Sequence, residues 1–205
     1  MTKGLLILIS APSGAGKTSL VNEIIELDNQ LIKSVSHTTR ARRSGEKEKI
    51  DYFFTTEREF SRMVSDEEFM EHANVFGNFY GTSKNYVEEN LDFGLDVILE
   101  IDWQGALQIQ SVKPEAISIF IVPPTKQELE NRLRNRGKDS DETISNRLSQ
   151  ATSDIMKAKN YNYVVVNDSF EIAINQLLTI VQAERLKANH QIKNNETLAF
   201  LLSPK

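Results

Sequence analysis

Short, uninterrupted apolar runs alternate along the chain with longer stretches in which apolar residues recur every three or four positions. That alternation predicts buried parallel strands flanked by helices. Leu5 to Ser10 is the first apolar run and leads straight into proline and glycine, so it reads as a buried strand ended by a turn. From Lys17 to Leu27 the residues Leu20, Val21, Ile24, Ile25 and Leu27 fall at helical spacing. Val97 to Ile101 and Ala116 to Val122 read as two more buried strands, the second stopped by Pro123 and Pro124. Tyr163 to Val166 is another. Glu171 to Ala188 follows as an amphipathic helix, with Ile172, Leu177, Leu178, Ile180 and Val181 available for its buried face.

The rhythm differs in two places. Between about Ser34 and Phe93 it breaks into short segments rich in aromatic and β-branched residues, Val35 to Thr39, Tyr52 to Thr55 and Asn78 to Thr82, separated by polar helical stretches. This is the pattern of an inserted α+β lobe. A strongly charged helix from about Thr125 to Arg136, ending near Gly137, precedes a second from about Asp141 to Asn160. Two such solvated helices suit a flap over a site. The tail from Asn189 carries no clear pattern, and no internal repeat is present.

Composition narrows the class. With 205 residues the chain has length for one full core plus small inserts. At 40% hydrophobic and 26% charged residues it has the balance of a water-soluble globular protein. The first apolar run is too short to cross a bilayer, and the start lacks the features of a signal peptide, so an intracellular, cytoplasmic protein without membrane partners is expected. The absence of cysteine excludes disulfides, thiol nucleophiles and thiolate zinc sites. A net charge of -5 argues against nucleic acid as a partner, while the basic clusters Arg40 to Arg43 and Arg132 to Arg136 suit small anionic ligands. His37, His72 and His190 have neither metal nor triad spacing.

The segment Ala11-Pro12-Ser13-Gly14-Ala15-Gly16-Lys17-Thr18 follows the phosphate-loop pattern, with Ala11 in place of its first glycine, and stands between a strand and a helix where that pattern has physical meaning. Gly14 and Gly16 allow the backbone to curl so that successive N–H groups point inward at the positive end of the helix. Lys17 is placed to reach β and γ phosphate oxygens, and the Thr18 hydroxyl to ligate magnesium.

Read together with Ser36-His-Thr-Thr-Arg40-Ala-Arg-Arg43, the Gly45 to Tyr52 stretch, Phe69-Met-Glu71, Asn78-Phe-Tyr-Gly-Thr82 and Leu99-Glu-Ile-Asp102-Trp-Gln-Gly105, that loop gives the sequence a resemblance to the guanylate kinase family over roughly Gly4 to Arg185. The resemblance implies a three-layer P-loop NTPase α/β fold with a parallel core sheet built from 1–34, 97–124 and 149–205, an inserted GMP-binding lobe over 35–96, and a helical lid over 125–148. It implies phosphoryl transfer from ATP to GMP with Mg2+, dGMP being a further acceptor to consider. Arg40, Arg43, Tyr52 and Tyr80 match the positions that hold the GMP phosphate. Ser36 and Glu71 match the guanine readers, with Thr82 and Asp102 near the base. Arg132, Arg136 and Arg147 match lid arginines and Asn167 an adenine contact, so that Lys17, Arg40, Arg136 and Arg147 are the expected catalytic set. Glu100 and Asp102 alternate at the end of one strand; either could face the metal, and Glu100 is assigned there with Thr18.

From the residues alone, blander readings compete. Glu71 reads as an exposed helical glutamate, and Arg132 as half of an ordinary ion pair with Glu128, four positions earlier. Rival functions are a kinase for another nucleoside monophosphate, a switch GTPase, for which the Asn-Lys-x-Asp motif is missing, and a guanylate-kinase-like protein-binding module. The sequence leaves monomer or homo-oligomer open.

Overall fold

Two sheets organise the chain, and the computed structural model describes residues 3–75, 77–135 and 141–202 of them and their helices. The core sheet contains β1 (Leu6–Ser10), β2 (Leu31–Lys33), β7 (Asp96–Glu100), β8 (Ile117–Val122) and β9 (Tyr163–Val166), in the order β2-β7-β1-β8-β9 and parallel throughout. The central strands β1, β7 and β8 are apolar on both faces and buried, so the period of two divides their residues between two layers, while Val164 and Val166 of the edge strand β9 stay about half exposed. Ile7 and Ile9 point to one face, against Leu20, Val21 and Ile24 of α1 (Lys17–Leu27) and Ala173, Leu177 and Val181 of α7 (Phe170–Arg185). Leu6 and Leu8 point to the other, against Val87 and Leu91 of α3 (Lys84–Asp92) and Ala106 and Ile109 of α4 (Trp103–Val112). The result is the expected three-layer fold.

The second sheet has the order β4-β3-β6-β5 and joins β3 (His37–Thr38), β4 (Phe53–Phe54), β5 (Phe69–Val75) and β6 (Asn78–Ser83), with α2 (Glu57–Ser65) packed on it through Phe60. This is the inserted lobe. Above the phosphate loop, α5 (Lys126–Asn135) and α6 (Asp141–Ile155) share a small apolar cluster of Leu129, Leu133, Ile144 and Ala151. Leu129 and Leu133 also rest against Gly14.

Several expectations need correction. The blander alternative for Glu71, an exposed helical glutamate, is the one set aside: Glu71 lies on β5, paired with β6 across the lobe, and is buried. The polar stretch containing α3 falls within the span expected for the lobe, yet Val87 and Leu91 bury in the core cluster. Ile172 is 58% exposed, since the face of α7 that meets the sheet runs through Ala173, Ile174, Leu177 and Val181. The helix expected from Asp141 to Asn160 passes at Met156 into a 3-10 turn, Met156–Asn160. The tail forms α8 (Ala188–Asn194) and α9 (Glu196–Leu201). No described helix is long and apolar enough to cross a membrane.

Candidate active site

The carboxyl end of central strand β1 opens into the phosphate loop, where a parallel sheet places its ligand crevice. Helices α2, α3, α4 and α5 begin with side-chain caps from Thr56, Ser83, Asp102 and Thr125. Helix α1 begins at Gly16 with no side-chain cap, leaving its first N–H groups turned to the crevice. Gly16 has φ 89°, and a Cβ there would press on Nδ2 of Asn167. Asn167 in turn donates from Nδ2 to the Ala15 carbonyl at 2.8 Å and accepts at its own carbonyl from Arg132 Nη2 at 3.1 Å. Gly16→Ala should therefore cost about 1–2 kcal/mol for the left-handed backbone plus the displaced Asn167 contact, read as a lower urea midpoint together with weaker nucleotide binding.

A cavity of about 370 Å3 runs from the loop, Ala11 through Thr18, to the lobe. Its far wall carries Ser36, Arg43, Tyr52, Glu71 and Tyr80, and its sides carry Glu100, Asp102 and Arg147. Lys17 donates from Nζ to the Ile101 carbonyl at 3.2 Å. Burial lowers its pKa, and the carboxylates of Glu100, Asp102 and Glu71 oppose that shift. The ammonium therefore lacks the solvation it would have in water and is set to gain from an incoming polyphosphate.

Glu71 is 4% exposed and receives the Thr82 hydroxyl at 2.5 Å on Oε1. On its other side lies Gly105, where a Cβ would overlap Oε2. Burial raises its pKa to about 7, assisted by Asp102 and opposed by the Thr82 hydrogen bond. A ligand offering two N–H donors in a row would bind the ionised form. Below about pH 7 its affinity should then fall by up to about tenfold per unit, with proton release on binding, measurable by calorimetry in two buffers of different ionisation enthalpy.

Not every expected residue lines this cavity. Arg40 does not line it, being bonded through Nη2 to Glu46 at 2.7 Å and held over the ring of the lining residue Tyr52 at 5.3 Å. Thr82 is fully buried behind Glu71 and reaches the cavity only through it. Arg132 is occupied by Glu128 at 2.7 Å and by Asn167, so the ion pair read from spacing is present. Asn167 sits beneath the loop as its support. Asp102 caps α4, accepting from Gly105 N at 3.0 Å and Gln104 Nε2 at 2.9 Å, while its residue still lines the cavity. Arg136 lies outside the described residues.

The sequence reading missed Glu46, Trp103, Gln104, Gln150 and Asp154. The last four line the cavity because α4 and α6 converge on it. Only Gly105 gave a usable signal, a glycine inside a helix, and such a glycine marks a close approach.

Glu100 has its Oε2 3.6 Å from Lys33 Nζ, and its Oε1 is buried without a hydrogen-bond partner among the described residues. Together with the Thr18 hydroxyl it supplies two hard oxygens at the loop end of the cavity. No described cluster of three or more His, Cys, Asp or Glu forms a protein-only metal cage.

A phosphate loop at the head of a parallel sheet, opening toward a lobe with a buried carboxylate, two phenols and an arginine, defines a P-loop nucleotide-binding enzyme with two ligand compartments. A family model described as guanylate kinase matches residues 3–184. The guanylate kinase of Yersinia pestis bv. Antiqua (strain Antiqua) is 48% identical over 202 residues, covering 97% of each chain. That of Photobacterium profundum is 48% identical over 206 residues, covering 99% of each. The crystal structure of guanylate kinase from Anaplasma phagocytophilum superposes with a TM-score of 0.81 at 36% identity, over 100% of this chain and 98% of that one. This chain belongs to the guanylate kinase family.

Proposed function

We propose that the protein transfers the γ-phosphoryl group of ATP to GMP, giving ADP and GDP, with ATP on the phosphate loop and GMP in the lobe. The observation that carries this reading is the buried Glu71 carboxylate at the lobe end of the same cavity that the loop opens. Guanine presents N1–H and an exocyclic amino group on one edge, and a carboxylate accepts both. Adenine presents an acceptor at N1, which would set its lone pair against a Glu71 carboxylate oxygen and leave that oxygen without the second donor, so AMP is rejected.

Arg43, Tyr52 and Tyr80 hold the GMP phosphate, and Arg40 joins them by exchanging its Glu46 pair for phosphate oxygens. That phosphate has a second pKa of about 6 and is already mostly dianionic at neutral pH, so the chain need supply no general base. Loop N–H groups and Lys17 neutralise charge on the transferred group, with Arg147 approaching from the lid and Arg132 and Arg136 as further lid cations. Ser36 and Asp102 complete the base pocket, Thr82 orients Glu71, and Asn167 keeps the loop in shape.

Thr18 and Glu100 suit Mg2+, an ion that keeps several waters and takes phosphate oxygens for the rest of its shell. When bound there it would neutralise phosphate charge. A water-soluble composition without cysteine suits the cytoplasm, where we place the activity.

A coupled assay of ADP release with GMP, dGMP, AMP, CMP and dTMP as acceptors tests the reading. Turnover with GMP, shared at most by dGMP, is the expected outcome. Equal turnover with AMP would remove the guanine assignment of Glu71.

A further inference from the structure

Strand β5 is an edge strand of the lobe sheet, so alternate peptide groups face away from β6. Those of His72 and Asn74 do so, and both are met by glutamines of α4. The Gln108 carboxamide accepts from His72 N at 3.2 Å and donates to the His72 carbonyl at 2.8 Å. Gln104, one turn earlier on the same helix face, reaches the Asn74 carbonyl at 3.5 Å. A primary amide carries the same donor and acceptor as a peptide unit, so Gln108 occupies the place a neighbouring strand would take.

The strand needs such support just there. Its register with β6 shifts between Phe69 and Glu71, an irregularity that re-aims side chains and weakens pairing. Gly105, three residues before Gln108, lies against the Glu71 carboxylate. The helix that holds His72 by its backbone thus also forms the floor beneath Glu71, and α4 itself is fixed in the core by Ala106 and Ile109.

We propose that Gln108 is a positioning residue for guanine selection, its carboxamide clamping the His72 peptide so that the adjacent Glu71 carboxylate holds its aim into the cavity. The inference rests on the reading of Glu71 as the guanine acceptor. The clamp works through backbone groups, so the exposed His72 imidazole has no part in it.

Steady-state kinetics of Gln108→Met with GMP, with inosine monophosphate, which lacks the exocyclic amino group, and with ATP varied, test this. The expected result is a KM for GMP raised about tenfold, a reduced preference for GMP over the inosine analogue, and a KM for ATP within about twofold of the unaltered chain. Amide exchange at His72 should quicken in parallel. Gln110→Met, which removes bonds to Ser118 and Asn160 from the same helix, controls for loss of helix packing and should leave the base preference unchanged. Should Gln108→Met fold poorly, Gln108→Glu keeps an acceptor, loses the donor, and predicts a change in the same direction. An unchanged KM for GMP despite faster His72 exchange, or KM values for GMP and ATP rising together, would overturn the clamp alone. Absence of GMP turnover by the unaltered chain would overturn the underlying function and the clamp with it.

Discussion

Lys17→Ala is expected to lower kcat for GDP formation by on the order of a thousandfold or more while the protein keeps its fold. Lys17 donates a hydrogen bond to the Ile101 carbonyl, and its ammonium is held beside Glu100, Asp102 and Glu71 in a site whose burial disfavours its charge. That unfavourable placement is offset when phosphate arrives, most strongly when negative charge spreads over the transferred group. Removing the ammonium thus takes away a contact that strengthens in the transition state, and kcat should suffer more than the KM for ATP. Single-turnover kinetics separate the two. A loss confined to the KM for ATP would reduce Lys17 to a binding residue.

Glu71→Gln should lower kcat/KM for GMP by on the order of a hundredfold or more, because an amide oxygen can accept from one guanine donor while its NH2 opposes the other. The same substitution carries a second signature, in stability. The folded pKa of Glu71 is raised from 4.5 to about 7, so the native state binds more protons than the unfolded chain between those values. Stability that Glu71 contributes at low pH is lost as pH rises through about 7, by on the order of 3 kcal/mol at most. Between pH 5 and pH 8 the unaltered chain should therefore lose stability relative to Glu71→Gln in urea titrations. Parallel stability curves for the two proteins would contradict the buried ionisable site.

Much of this site was written in contiguous residues. The phosphate loop is legible because strand, glycines, lysine and helix follow one another, and a backbone anion site needs them in that order. The central core strands β1, β7 and β8 are legible because each is apolar on both faces. Other features depend on contacts between distant segments. Leu31–Lys33 is too short to show a period, and it becomes a strand by pairing with β7. Glu71 carries no local sign of burial; it is enclosed by Thr82 from β6 and Gly105 from α4. Arg132 and Asn167 are far apart in the chain and meet under the loop, so local spacing could give Arg132 only its Glu128 partner. The Gln108 contact with His72 likewise has no trace in the sequence, since any exposed helical glutamine looks the same.

If one cavity holds both nucleotides, phosphorus passes directly from one to the other. The most direct measurement follows ATP labelled in its γ-phosphoryl group, with GMP and Mg2+, by 31P spectroscopy. The label is predicted to appear in the β-phosphoryl of GDP, and to stay in ATP when AMP replaces GMP. Label released as inorganic phosphate at the same rate with or without GMP would show a nucleotide hydrolase instead and rule out direct transfer to GMP.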